Sequence, residues 1–120
     1  PSCTSFSAYH SEYPEGLIEG ISCGVIFLLA FWSAPAVTRF KYCCYGVENS
    51  APRDQFELHI IDVDGLKPED PFSNLQRLGG YGEAFWIRSG TIVNSIGSEW
   101  SNERFDELTR NLIRAESGRR

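Results

Sequence analysis

The most apolar segment of the chain is CGVIFLLAF, residues 23–31, in which no polar side chain interrupts the hydrophobic run. A strand with one face in water alternates apolar and polar residues, whereas a strand that is apolar throughout is buried on both faces. The run is also much shorter than the roughly 20 apolar residues that a membrane-spanning helix needs. The pattern therefore predicts a central strand that is covered on both faces by helices.

Two longer amphipathic helices are predicted from capping residues and apolar spacing. Ser33 is a good N-cap, and Pro35 fits the first helical turn, where backbone amides have no intrahelical partner. The apolar stripe of this helix consists of Val37, Phe40, Cys44 and Val47, and the helix is expected to end near ENSAP, residues 48–52. Ser101 is a plausible cap for a C-terminal helix. The apolar face of that second helix consists of Phe105, Leu108, Leu112 and Ile113.

The remaining apolar runs predict further strands and two short helices. SCTSFS (2–7) and QFELHIIDVD (55–64) are typical of strands, and EAFWIRSGTIVNSIG (83–97) is typical of a hairpin that turns at Gly90. Short helices are expected within YPEGLIEGI (13–21) and from Phe72 to Leu78. The resulting order, β-α-β-α-β-α-β-β-α, predicts an α/β fold with parallel pairing next to the central strand.

The length of the chain limits the number of domains, and its net charge indicates which kinds of partner it binds. The chain of 120 residues has room for one domain, 1–120, and its net charge of -5 argues against a nucleic-acid-binding protein. An acidic surface favours a basic protein partner instead. Because the sequence shows no basic and apolar leader pattern and no membrane span, we expect a cytoplasmic protein.

The four cysteines do not have the spacing of a secreted disulfide framework or of a metal site, so we expect reduced thiols, no metal and no cofactor. Cys44 falls on the apolar stripe of the first long helix. Cys43 points about 100° away from that stripe and is expected to be partly exposed.

The order of elements, over essentially the whole chain, resembles the thioredoxin fold. The matching stretches are a buried strand that runs into WSAPA (32–36), a strand that ends in DVD (62–64), and YGEAFWIRSG (81–90) followed by a strand and a C-terminal helix. This resemblance implies a thioredoxin-like fold with a central mixed β-sheet flanked by helices on both faces.

The positions that carry dithiol chemistry in thioredoxins hold other residues in this chain. Ser33 and Ala36 occupy the two cysteine positions, Gly82 corresponds to the cis-proline, and Phe27 corresponds to the buried acidic residue of the central strand. In an active thioredoxin the first cysteine attacks as a thiolate and the second resolves the mixed disulfide. We therefore expect a redox-inactive protein without catalytic residues.

Two other kinds of chemistry are possible alternatives. A thiol-linked enzyme or redox sensor could bind glutathione through Ser33 or use a redox-active Cys43. A nucleophilic Ser33 needs a base, and the two histidines, His10 and His59, lie in an N-terminal loop and in a predicted strand. HIIDVDG (59–65) also resembles the D-x-D-G motif of haloacid-dehalogenase phosphotransferases, but that family follows the motif with a longer domain than this chain has room for.

In thioredoxin-like folds the cysteine motif and the cis-proline loop together form a shallow groove for an extended peptide. The resemblance brings together Trp32, Ser33, Ala34, Pro35, Tyr81, Gly82 and Glu83. Exposed aromatic residues beside small residues and a carboxylate are typical of protein-binding patches, whereas Trp86 and Trp100 are expected in the core. We therefore expect a non-catalytic protein-binding module. The most specific version of this hypothesis is an acidic inhibitor or immunity-type protein that neutralises a toxin or enzyme.

Overall fold

A computed structural model describes residues 7–50, 56–67, 69–74, 82–97 and 99–117, and five strands within these ranges form one mixed sheet. The strands are β1 (Ser7–His10), β2 (Cys23–Leu29), β3 (Glu57–Asp62), β4 (Glu83–Arg88) and β5 (Thr91–Ile96). The α-helices are α1 (Ala34–Ser50) and α2 (Asn102–Ser117). In the sheet order β1-β3-β2-β4-β5, the first three strands are parallel, and β4 is antiparallel to both of its neighbours.

The middle of the sheet is β2, and every one of its residues is buried. Its side chains alternate between two apolar clusters, with Val25 and Phe27 on one face and Ile26 and Leu28 on the other. Period-two alternation of side-chain direction is a property of any strand, so an uninterrupted apolar run must fill both faces. The prediction of a central strand buried on both sides is confirmed.

Both α-helices pack on the face that carries Phe27. The predicted stripe of α1 lies against this face, and α2 buries its residues Phe105, Leu108 and Leu112 there. The hydroxyl of Ser101 accepts a hydrogen bond from the Arg104 amide at 3.0 Å, which is the capping contact that the sequence predicted. Among the described helices, none is both long enough and apolar enough to cross a membrane.

The opposite face is covered, within the described residues, by short 3₁₀ turns. The short helix predicted within residues 13–21 is a single 3₁₀ turn, Ile18–Gly20, because Gly16 adopts a φ of +82° just before it. The helix predicted from Phe72 to Leu78 is a 3₁₀ turn at Pro71–Asn74, and its remaining residues lie outside the described ranges. Apolar residues of these turns still seal the face, with Ile18 and Phe72 fully or almost fully buried.

The predicted bounds of the hairpin and of the first strand can be compared with the observed strands. β4 and β5 are joined by Ser89 and Gly90, which have φ values of +53° and +76°, as a tight hairpin turn of the predicted kind requires. The strand predicted at residues 2–7 falls almost entirely outside the described residues, and β1 begins at Ser7.

A buried hydrogen bond joins α2 to the sheet. The indole Nε1 of Trp86, a residue with no exposed surface, donates to Oγ1 of Thr109 at 3.1 Å. A buried N–H that loses its acceptor keeps its full desolvation cost. This contact therefore fixes the position of α2 against β4.

We predict that Thr109→Val lowers the free energy of unfolding by about 1–3 kcal/mol, because the isosteric valine leaves the Trp86 N–H without an acceptor. Denaturant unfolding followed by tryptophan fluorescence measures the change. The matched control is Thr38→Val at an exposed site on α1, for which we expect a change within about 0.5 kcal/mol. Equal effects of the two substitutions would contradict a structural role for the bond.

Candidate functional site

The chain leaves the sheet and enters α1 through the segment 30–36, here called the helix corner. The Ser33 amide donates to the Ala30 carbonyl at 3.0 Å, and the Ser33 carbonyl accepts the first helical bond from Val37 at 3.0 Å. The Ser33 hydroxyl accepts from the Ala36 amide at 3.4 Å, and only 8% of the residue is exposed. The hydroxyl is thus used as the helix N-cap.

Beneath the helix corner Gly82 lies close to Phe27 and Ala36, three residues that the resemblance assigns to positions of the dithiol chemistry. Gly82 is buried, has a φ of +93° and immediately precedes β4. A Cβ atom built on Gly82 would lie 2.9 Å from Cζ of Phe27 and 3.1 Å from Cα of Ala36. Proline is restricted to φ near −65°, so neither the space nor the backbone angle at Gly82 suits it.

Arg39, in the first turns of α1, contacts the residues that precede β4 and follow β5. Its Nη1 donates to the carbonyls of Gly82 and Gly97 at 3.2 and 3.1 Å, and its guanidinium carbon lies 5.3 Å from the centre of the Trp100 ring. Burial lowers the pKa of Arg39 from its ordinary value, and the charges of Glu83 and Glu99 oppose this shift. The sequence interpretation had not identified Arg39, since its contacts are to residues distant in the chain.

A groove of about 470 Å³ lies beside the helix corner. It is lined by Ala34, Pro35, Thr38, Arg39, Tyr42, Trp100 and Asn102. Trp100, which was expected in the core, packs against the core with one part of its ring and is otherwise accessible from this groove. The exposed residues Ala34 and Pro35 therefore face a groove different from the surface that carries Trp32.

Three exposed aromatic residues, Tyr9, Phe31 and Trp32, form what is here called the aromatic surface. Their exposed fractions are 40%, 48% and 66%, respectively. The rings of Tyr9 and Phe31 meet edge to face with their centres 5.9 Å apart. Large aromatic side chains are normally among the most buried on average, so their joint exposure at one end of the sheet is informative.

Two carboxylates at the end of β3 hold these aromatic residues in place. Trp32 Nε1 donates to both carboxylate oxygens of Asp64, at 3.1 and 3.3 Å, and the Tyr9 hydroxyl donates to Asp62 at 3.3 Å. The other oxygen of Asp62 accepts from the Asp64 amide at 3.0 Å. Desolvation and the negative charge of Asp62 raise the pKa of Tyr9, so its hydroxyl remains a neutral donor. Both aspartates thus serve as acceptors for the aromatic surface.

The predicted site residues are placed at different depths. Trp32, Ala34 and Pro35 are exposed, whereas Ser33, Gly82 and Glu83 are buried, with 6% of Glu83 exposed. Tyr81 lies outside the described residues. These buried residues contribute little surface of their own.

The sequence interpretation missed Tyr9 and Phe31. For Phe31 a signal existed, because the apolar run continues two residues beyond the end of β2, where the sheet no longer covers it. For Tyr9 no local signal existed, because its partners are distant in the sequence. Phe31 lies 22 positions further along the chain, and Asp62 lies 53 positions further.

The cysteines differ from expectation in two respects. Cys43 has no exposed surface, and burial raises the pKa of its thiol. The expected partial exposure is therefore wrong, because Cys43, together with Ala36 and Val47, faces the sheet directly. Cys44 is disulfide-bonded, so the expectation of reduced thiols is wrong for this residue, while Cys23 and Cys43 are buried thiols.

Within the described residues, no group of three or more His, Cys, Asp or Glu side chains is arranged to hold a metal ion. Asp62 and Asp64, which resembled a phosphotransferase motif in sequence, are engaged with Tyr9 and Trp32.

The strand order, the helix that starts directly after the central strand and the loop that packs beneath it define a thioredoxin-like fold. Solved thioredoxin structures are similar over most of the chain. Thioredoxin from Malassezia sympodialis has a TM-score of 0.69 at 14% identity, with 89% of this chain and 90% of that chain covered. Thioredoxin from Schistosoma mansoni has a TM-score of 0.66 at 18% identity, with coverages of 92% and 97%.

Desulfothioredoxin from Desulfovibrio vulgaris Hildenborough has a TM-score of 0.65 at 15% identity, covering 86% of this chain and 96% of that chain. The sequence matches no protein-family model and no curated protein. At these identities the likeness establishes the fold alone.

We predict that Gly82→Ala destabilises the protein more than Gly16→Ala does. Both glycines have positive φ, +93° and +82°, but a Cβ at Gly16 meets no atom within 4 Å. Gly16→Ala should cost about 1–2 kcal/mol of backbone strain, and Gly82→Ala about 1–3 kcal/mol more because Phe27 and Ala36 must move. Chemical denaturation of the two variants compares these costs, and equal values would show that the contact with Phe27 is not restrictive.

Proposed function

We propose that the protein is a non-catalytic thioredoxin-like module that binds another protein through the aromatic surface. The observation that carries this proposal is the joint exposure of Tyr9, Phe31 and Trp32 at the end of the sheet where the helix corner begins. Tryptophan and tyrosine are enriched among the residues that dominate binding energy at protein interfaces. An exposed aromatic group of this kind supports a contact surface.

The hydrogen bonds to Asp62 and Asp64 also favour binding. Side chains that are immobilised only on association cost about 0.5–1.5 kcal/mol each in lost rotamer freedom. Trp32 and Tyr9 are already held by carboxylates in the free protein, which reduces that cost. The aromatic surface is therefore preorganised for contact.

Charge indicates the kind of partner. The chain carries a net charge of -5, and the two carboxylates adjoin the aromatic rings. Complementary charge speeds association and disfavours wrong partners, so the proposed partner is a basic protein. In its most specific form, the proposal is an acidic inhibitor or immunity-type protein that covers a basic toxin or enzyme.

The rival function, a thiol-linked enzyme or redox sensor, has less support from the geometry. The Ser33 hydroxyl caps α1, and Cys43 is inaccessible. His59 pairs in register with Ile26, which belongs to the cluster on the opposite face of the sheet from α1, so His59 is not placed as a base for Ser33.

We predict that Trp32→Ala weakens binding of the partner by about 30-fold. This factor corresponds to a loss of roughly 2 kcal/mol of binding free energy, the value that marks a dominant interface residue. The full chain serves as bait in its native host, and the recovered partner is then titrated with each variant by calorimetry. Tyr45→Ala is the matched control, because Tyr45 is 62% exposed on α1, away from the aromatic surface.

The proposal requires a stoichiometric, basic partner whose affinity falls with Trp32→Ala and changes less than about threefold with Tyr45→Ala. Recovery of no stoichiometric partner, or equal losses for the two variants, would count against it. Asp64→Asn should additionally reduce the dependence of the association rate on salt, because it removes a charge beside Trp32.

We predict that Cys23 and Cys43 of the native protein do not react with iodoacetamide over a period in which the unfolded protein is fully alkylated. Their burial excludes the reagent, and the raised pKa of Cys43 keeps its thiol protonated. Peptide mass spectrometry after labelling, with and without denaturant, identifies the modified residues. Rapid labelling of native Cys43 would favour the redox-sensor function.

A further inference from the structure

Two histidines and a glutamate form a hydrogen-bonded chain that joins β1 to β3. His10 Nε2 and His59 Nδ1 lie 2.9 Å apart, with the planes of the two rings inclined by 16° and their centres 5.2 Å apart. The other nitrogen of His59, Nε2, lies 2.7 Å from Oε1 of Glu57. The two histidines of the chain, 49 positions apart, are therefore direct partners.

The bond between the imidazoles depends on their protonation. Glu57 accepts from Nε2–H of His59, so Nδ1 of a neutral His59 has a lone pair that accepts from Nε2–H of His10. If His59 gains a proton, its Nδ1–H donates to His10 instead, and the bond persists. When both rings are protonated, two N–H groups face each other with like charges and no acceptor.

The surroundings of the pair offer little to offset a second charge. The residues of β2 that pair with Glu57 and His59 are Gly24 and Ile26, and the β1 partner of His59 is Ala8, none of which is ionisable. Tyr13, which packs over this face, has a raised pKa because of burial and stays neutral. Glu57 contacts the pair directly, through Nε2 of His59.

The charged residues that follow β1 are engaged elsewhere. Glu12 forms an ion pair with Lys67, so these two charges offset each other. Neither Glu12 nor Lys67 contributes to the hydrogen-bonded chain of Glu57, His59 and His10.

The strand that this chain secures carries part of the aromatic surface. β1 has four residues and lies at an edge of the sheet, where β3 is its neighbour. Tyr9 precedes His10 directly, and its contacts with Phe31 and Asp62 require β1 to be docked. A short edge strand has few other interactions to keep it in place.

We infer that the His10–His59 pair is a pH-sensitive latch, which holds β1 and Tyr9 against β3 when at least one ring is neutral and releases them when both rings are protonated. Acidification then loosens the edge of the aromatic surface. The latch stands on the His10, His59 and Glu57 geometry, and only its consequence for partner binding rests on the proposed function.

The pH range follows from the behaviour of His10. Desolvation, followed by the charge of His59, lowers the pKa of His10 below its ordinary value of 6.5. The folded protein therefore binds this proton less readily than the unfolded chain does, and the stability of the latched state decreases as the pH falls. The loss begins near the unfolded value and is complete below the lower, folded-state pKa.

Hydrogen exchange of backbone amides tests the latch in the protein without any partner. We expect the amides of β1 to exchange at least about tenfold faster at about pH 5 than at about pH 7.5, after correction for intrinsic rates, because release of the strand exposes them to water. The amides of the other edge strand, β5, are the internal control, because β5 contains no histidine. Equal responses of β1 and β5 would overturn the inference.

His10→Gln is the matched variant, because a glutamine amide can donate to His59 Nδ1 but does not titrate. We expect its β1 amides to respond to pH no more than those of β5, and a response as large as in the unaltered protein would contradict the latch. The two imidazoles can also be titrated by NMR in the unaltered protein, which does not depend on a variant folding. A titration of His10 that is displaced below its ordinary value and depends on the state of the neighbouring ring supports the latch, whereas independent titrations of the two rings overturn it.

Discussion

The burial of β2 on both faces is the constraint from which the rest of the structure follows. All seven residues of this strand are buried, so other elements must cover each face of the sheet. α1 and α2 cover one face, and the 3₁₀ turns around Ile18 and Phe72 help to cover the other. Because the apolar run extends beyond Leu29, its last aromatic residues, Phe31 and Trp32, emerge where that cover ends. One continuous hydrophobic segment thus supplies both the centre of the core and part of the surface.

The residues expected at the positions of the thioredoxin dithiol machinery form one packing arrangement. The ring of Phe27 fits above Gly82 because glycine has no side chain, and it lies near the small residue Ala36. The rings of Phe40 and Trp100 complete the surroundings of Phe27, with centres 6.1 and 6.2 Å away. A carboxylate at the Phe27 position would meet this apolar environment and carry a large desolvation cost. These residues therefore support one another, and replacing one alone would disturb the contacts of the others.

The sequence predicted those features of the fold that depend on residues close together in the chain. The run in β2, the caps Ser33 and Ser101, and the glycine turn at Gly90 each depend on neighbouring residues, and all four appear in the structure. The helix predicted within residues 13–21 is shortened to the 3₁₀ turn Ile18–Gly20, because the positive φ of Gly16 prevents an earlier start.

Contacts between distant residues could not be predicted in the same way. Arg39 reaches Gly97 across 58 positions, and His10 reaches His59 across 49. The burial of Cys43 likewise depends on how α1 is rotated about its axis against the sheet. A stripe of apolar residues predicts that rotation only to within about one residue, or about 100°. The resemblance to thioredoxins located the helix corner, but the aromatic surface depends on contacts between side chains that are distant in the sequence.

The parallel part of the sheet explains why those side chains meet. The carboxyl ends of adjacent parallel strands lie at the same edge, so the residues at the ends of β1, β3 and β2 come together there. β1 contributes Tyr9, β3 leads into the carboxylates Asp62 and Asp64, and β2 leads into Phe31 and Trp32. The position of every aromatic ring then depends on the register between strands, and β1 is the shortest of the three strands. Since a one-residue slip of β1 would turn Tyr9 to the other face, a side-chain bond that secures its register also secures the aromatic surface.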